Sequence, residues 1–295
     1  MTNEEIILRT KEEFKLRGLS ANTEDQYLRV LRFFIGFSDN RPLESMGEVE
    51  IRSFLLYQID SGKAPGSVNI YNSALRFIYG AVMGRNLNCR MIPRKHYYRE
   101  LPDIMSKNEI VRFFNVIDNL RDRTMFETIY GAGLRLSEIT HLRVQDIDSE
   151  QMRIFVHQGK GGKDRYTILS QRNLDILREY WRQYRPNHPE GYLFYPRMQR
   201  NKTLTKRTVE IAFHKYRQAA ALPGTFTVHT LRHCFATHLL DDGADVCYIK
   251  ELLGHTFIQT TAFYLHLKNT STEIRSPLDT LPKKRGRKPK ASADA

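Results

Sequence analysis

Cysteine is scarce in this chain. The three copies, Cys89, Cys234 and Cys247, are odd in number and form no C-x-x-C pair, which argues against a disulfide framework and a zinc ribbon and suits a reducing cytoplasm. Long apolar runs are missing too: no stretch reaches the roughly 18 residues that cross a bilayer. The N-terminal MTNEEIILRT is acidic and has no apolar stretch behind it, so no secretory signal is expected. Acidic residues are in deficit, 33 against 46 Lys and Arg in 295 residues. The resulting formal charge of +13 points to a polyanionic partner, nucleic acid ahead of a membrane surface.

Several cofactor signatures are also absent. The glycine-rich turn Gly159 to Gly162 would need Gly at 157 and Ser or Thr at 164 to be a P-loop, and the chain has His157 and Asp164 there. His229, His233 and His238 lie close together, but there is no H-E-x-x-H pattern and no carboxylate placed as a third ligand, so zinc is not expected. No carboxylate cluster suggests a two-metal nuclease. The expectation is chemistry with neither metal nor nucleotide.

What is present reads as two domains, mainly α with a small antiparallel β-sheet. Residues 1–84 form a helical unit. Behind N-cap candidates Ser20 and Asn22, Tyr27, Leu28, Leu31, Phe34 and Ile35 recur at helical spacing. Ile51, Phe54, Leu55 and Ile59 mark a second helix, and Ile70, Ala74, Leu75, Ile78 and Val82 a third, with Ala64-Pro-Gly66 between them. Residues 85–103 read as a basic linker: Arg85 to Arg99 holds five basic residues and no acid. Either it is a solvated connector, or Arg94 and Lys95, interleaved with Tyr97 and Tyr98, run along a DNA backbone.

A larger unit spans 104–275. It opens on the capping-box pattern Ser106-Lys-Asn-Glu109, followed by Ile110, Phe113, Phe114 and Ile117 on one helical face. Met152, Ile154 and Val156 alternate, the glycine turn follows, and Tyr166 and Ile168 resume the alternation, which predicts a β-hairpin. Helical patterns return after Ser170, Thr205, His229 and Asp245. Residues 276–295 end in a basic arm, with six Lys and Arg between Pro282 and Lys290. Its Arg285-Gly-Arg287 core fits either a minor-groove arm or a solubilising tail.

The chemistry-bearing residues suit a phosphodiester. Arg135 follows a glycine-rich turn with Glu138 three residues on, where it would orient the arginine. His229 and Arg232 share a helix face at i, i+3. Leu252-Leu-Gly254-His255 and then Tyr264 complete the order. A phenol of pKa about 10 is a poor nucleophile at neutral pH unless cations favour the phenolate or a base takes its proton. Arginine suits the clamp because its planar fork stays charged, whereas a lysine can surrender a proton to a leaving oxygen.

GAGLRLSE, the GKGGKDR turn, HTLRH, LLGH and TTAFY, in this order, resemble the tyrosine recombinase (phage integrase) family, and its compact Xer-type members in particular. The resemblance implies an N-terminal helical core-binding (SAM-like) domain and an α/β catalytic domain that together encircle DNA. It makes Tyr264 the nucleophile, Arg135 and Arg232 the phosphate clamps, and Lys160 rather than Lys163 the acid for the leaving 5′-oxygen. His229 becomes a proton-transfer or phosphate contact, His255 a donor to the phosphate, and Glu138 a supporting residue. The implied partners are double-stranded recombination sites, further copies of the chain in a homo-tetramer on synapsed DNA, and accessory proteins, with no membrane. In the family a C-terminal segment docks on a neighbouring protomer; here that is Thr272 to Leu281, interrupted by Pro277. The competing classes are a type IB topoisomerase and a DNA-binding protein that has lost catalysis.

Overall fold

Helix starts in the first unit, Met1–Glu100, are set by local caps. In the computed structural model, which describes residues 1–96, 101–157, 164–196, 198–199 and 201–266, Thr2 and Glu5 form a capping box at the start of α1 (Asn3–Leu16). Ser20, not Asn22, caps α2 (Ala21–Phe37). Pro65 at the first position of α4 (Pro65–Phe77) separates it from α3 (Glu48–Asp60), and a π-helical turn, Ile78–Val82, prolongs it. The apolar stripes of these helices close on Leu31, Phe34, Phe54, Leu75 and Ile78, all buried. An edge-to-face triad of Phe14, Tyr27 and Phe77 joins α1, α2 and α4.

The basic stretch after Gly84 is not a free connector at its beginning. Asn72 donates to the carbonyls of Ile92 and Pro93, Arg76 donates to that of Ile92, and Ile92 is buried. Asn69 exchanges two hydrogen bonds of 2.8 Å with the backbone of Lys95. Residues 92–95 therefore pack on α4, leaving the Arg94 side chain exposed.

The second unit begins at Leu101. Ser106 and Glu109 make the expected capping box for α5 (Lys107–Asn115). The helix α6 (Leu120–Ala132) is buried on most of its faces and ends on Gly133, which adopts a left-handed conformation. Next come the short α7 (Leu136–Thr140) and a three-stranded antiparallel sheet, β1 (Ile147–Asp148), β2 (Arg153–Val156) and β3 (Arg165–Ile168), in the order β1-β2-β3. Ile154 pairs with Thr167 and Phe155 with Tyr166.

That register corrects two expectations about the alternation. Met152 lies before the strand at a positive φ of 51°, and Tyr166 faces outward with Phe155 while Thr167 points in. Thr167 can be buried because its hydroxyl donates to the carbonyl of Ala132 at 2.7 Å. The helices α8 (Gln171–Tyr184), α9 (Lys206–Ala219), α10 (Val228–Asp241) and α11 (Val246–Leu253) follow, capped by Ser170, Thr205, Thr227 and Asp245. The described chain ends with α12 (Ile258–Ala262) and a 3-10 turn, Phe263–His266. The main core gathers Phe113, Phe126, Phe213 and Leu231, and a smaller cluster holds Phe235, Leu252, Leu253 and Tyr264.

Candidate active site

Glu138 organises the cationic half of the site. Arg135 stands at the N-cap of α7, where its own backbone N–H donates to Glu138 at 2.8 Å and its Nη1 donates to the same carboxylate at 2.6 Å. Arg165, at the start of β3, meets both carboxylate oxygens at 2.8 Å in a bidentate pair. Arg232, from the middle of α10, comes within 3.7 Å. Three guanidinium groups thus surround one carboxylate, leaving an excess of two positive charges. Burial alone would raise the Glu138 pKa, but the hydrogen bonds and charge of Arg165, with those of Arg135, outweigh it and hold the group at about 2.

Arg232 is 1% exposed and needs partners for its charge and its donors. Nη1 donates to the Gly133 carbonyl and Nη2 to the Leu253 carbonyl, each at 2.6 Å. Burial, then the neighbouring Arg135 charge, lower its pKa to about 9, which still leaves it protonated at neutral pH. Gly133 provides its carbonyl from a left-handed turn against Phe235, where a Cβ would meet the ring at 2.4 Å. Gly254 is left-handed as well, and a Cβ there would lie 2.7 Å from Cδ of Arg165. Arg165 has no freedom to retreat, since its Nε also donates to the Leu252 carbonyl. The two glycines are required by this packing, not by loop flexibility.

His255 follows Gly254 at the end of α11. Its Nε2 lies 3.3 Å from Arg232 Nη2, which can only donate, so Nε2 accepts and Nδ1 carries the hydrogen that Thr261 Oγ1 receives at 2.8 Å. Burial, followed by the Arg232 and Arg135 charges, lowers His255 to about 3. His229, in the first turn of α10, is lowered to about 4 by the protein around its ring and then by Arg232 and Arg135, although by surface area the residue is exposed. Both imidazoles are therefore neutral near pH 7.

Tyr264 is 4% exposed, its ring packed with Phe235, Leu252 and Leu253. Its hydroxyl is 2.8 Å from His233 Nδ1, and its ring lies nearly parallel to that of His255 at 6.5 Å. The His233 ring meets His229 edge-to-face at 4.5 Å.

Arg135, Glu138, His229, Arg232, His255 and Tyr264 thus converge on one site. Lys160, Arg285 and Arg287 lie outside the described residues, and Arg94 and Lys95 belong to the first unit. Two site residues escape the sequence reading. Arg165 reaches Glu138 across 27 positions, a pairing no local spacing announces. His233 does carry a signal, because i, i+4 spacing puts it on the face of His229. Among the described residues no group of three or more His, Cys, Asp or Glu is arranged to hold a metal ion.

Residues 103–271 match the phage integrase family and residues 6–89 its N-terminal SAM-like domain, so the chain belongs to the phage integrase, or tyrosine recombinase, family. Within that family it is of the Xer-like kind, a site-specific recombinase by class. It is 32% identical to tyrosine recombinase XerA of Pyrococcus horikoshii, over 95% of this chain and 94% of the relative. It is 37% identical to y4qK of Sinorhizobium fredii, which bears an integrase/recombinase name, over 93% of this chain and 89% of the relative. The fold matches XerH in a post-cleavage complex with difH substrate at a TM-score of 0.69 and 23% identity, over 88% of this chain and 80% of that one. It also matches a λ integrase tetramer bound to a Holliday junction at 0.71 and 20%, over 90% and 77%. No helix among the described residues is long and apolar enough to cross a membrane.

Proposed function

We propose that this recombinase exchanges strands between two DNA duplexes through a 3′-phosphotyrosyl intermediate and a Holliday junction, working as a homo-tetramer on synapsed sites. Tyr264 attacks the scissile phosphorus. Arg135 and Arg232 bind the nonbridging oxygens, and His229 adds a hydrogen bond to the phosphate. His255, whose N–H is directed at Thr261, accepts from Arg232 and holds it in place rather than donating to the phosphate. Glu138 holds the arginines in place, and Lys160 protonates the leaving 5′-oxygen. Since the tyrosyl ester conserves the phosphodiester bond energy, religation needs neither nucleotide nor metal.

The observation that best supports this reading is the two-charge excess around Glu138 beside a buried tyrosine hydroxyl. Preorganised cations at a partly dehydrated site stabilise charge that develops on phosphate oxygens far better than water does. Arg94, Lys95, Arg285 and Arg287 are proposed DNA contacts of lower specificity. The setting proposed is the cytoplasm, with integration, excision or resolution of a mobile element or other DNA as the outcome and accessory proteins setting its direction.

The test uses nicked suicide duplexes tiled across the DNA flanking the protein's own gene, in EDTA and without nucleotide. The expected result is a covalent protein–DNA adduct on one of them, 3′-linked and lost in Tyr264→Phe. An adduct surviving that substitution, or none with the wild-type chain, would overturn the reading.

A further inference from the structure

We propose that His233 is a further catalytic residue of this site: it holds the Tyr264 hydroxyl and takes its proton as the phenol attacks. The inference rests on Tyr264 being the nucleophile. His233 lies directly after Arg232 on α10, and its Nδ1 comes within 2.8 Å of the Tyr264 oxygen, the atom that would form the new bond. In the tautomer with its hydrogen on Nε2, Nδ1 is an acceptor and the phenol donates to it.

The other basic groups near the tyrosine are poorly suited to this task. Both nitrogens of His255 are engaged, Nδ1 with Thr261 and Nε2 with Arg232. Glu138 is locked among guanidinium groups and held at about 2. His229 is held near 4 by its surroundings and by Arg232 and Arg135, so it is a weak base suited to the phosphate side. Its edge-to-face contact with His233 places the two imidazoles in sequence, one toward the clamp and one on the phenol.

The step balances without a co-reactant. The Oη–H bond breaks and its proton passes to His233 Nδ1, while an oxygen lone pair forms the bond to phosphorus. The P–O5′ bond breaks with its electron pair on the 5′-oxygen, which receives a proton from the acid assigned to Lys160. Religation reverses each transfer: His233 returns the proton to the departing phenolate, so one imidazole serves as base in cleavage and acid in rejoining.

The experiment measures single-turnover adduct formation by the full chain on the nicked duplex that the wild type cleaves. His233→Gln and His233→Ala are expected to slow the step by about 10²-fold or more, with DNA binding by mobility shift unchanged. Placing a ring-fluorinated tyrosine of lower phenol pKa at 264 in the His233→Gln background is expected to recover at least about tenfold of that loss, because a phenol that ionises readily depends less on a base. A loss below about threefold in both variants, or a full loss that the fluorinated residue leaves unrecovered, overturns the role of His233 while leaving Tyr264 as nucleophile. Absence of any wild-type adduct overturns both readings.

Discussion

The arginine half of the site and the tyrosine half are held by different forces. Arg135, Arg165 and Arg232 are tied to Glu138 and to the carbonyls of Gly133, Leu252, Leu253 and Gly254 by charge-assisted bonds. Tyr264 stands on a 3-10 turn behind a five-residue helix, with its ring in a small apolar cluster and its hydroxyl on an imidazole. Removing one partner from a buried ionic network costs about 3–5 kcal/mol, whereas a neutral hydrogen bond nets about 1 kcal/mol. The clamp is therefore fixed before any phosphate arrives, and the nucleophile can change partners at low cost. That division suits a reaction in which the phosphate's binding site stays constant while the phenol gains and loses a covalent bond.

The largest effect should come from the clamp. Arg232→Lys keeps the charge but gives up the planar fork that meets the Gly133 and Leu253 carbonyls together. Single-turnover adduct formation is expected to fall by about 10³-fold or more, in line with the loss of preorganised donors, while mobility-shift affinity for the duplex changes little. A loss under about tenfold would break the comparison, since charge alone would then suffice without geometry.

Glu138 tests the same half through stability. Its pKa falls from 4.5 to about 2 on folding, a shift on the order of 3 kcal/mol in favour of the native state. Because the folded value is the depressed one, this contribution is complete above pH 4.5 and fades as pH falls toward 2. Glu138→Gln should therefore cost about 3 kcal/mol at pH 7 and flatten the loss of stability between those two values. Urea unfolding followed by Trp181, the single tryptophan of the chain and a residue of the second unit, measures it. An unchanged acid limb would mean that the carboxylate does not anchor the arginines.

The same division marks what the sequence discloses. Caps and stripes are local, so Ser106 with Glu109 announces α5, and Arg135 with Glu138 announces an ion pair one helical turn long. Contacts that depend on the folded chain are silent. Arg165 finds Glu138 only once β3 lies beside α7, and Thr167 turns inward only because the Ala132 carbonyl waits there. The linker reads as either solvated or DNA-tracking because the anchors of residues 92–95 on α4 are Asn69, Asn72 and Arg76, polar side chains that composition assigns to the surface. The two-residue strand β1 is too short to show a period. Tyr264 is conspicuous only through the order of motifs before it; its partner His233 lies 31 positions away.

The smallest expected effect lies on the tyrosine side, at Thr261. This residue is fully buried, and its hydroxyl receives the Nδ1 hydrogen of His255 in the tautomer that Arg232 sets. Thr261→Val preserves shape and removes that acceptor, leaving a buried N–H without its partner. The cost to stability should be about 1 kcal/mol. Adduct formation should slow by roughly fivefold, because His255 can then turn its hydrogen to Nε2 and lose the bond it accepts from Arg232. Thr261→Ser restores the acceptor without the methyl group, so it should recover the rate while keeping a small packing loss. If the serine variant stays as slow as the valine variant, the effect belongs to the methyl group, and His255 is held by packing. If the valine variant falls as far as Arg232→Lys, the tyrosine side is as rigidly fixed as the clamp, and the contrast between the two halves disappears.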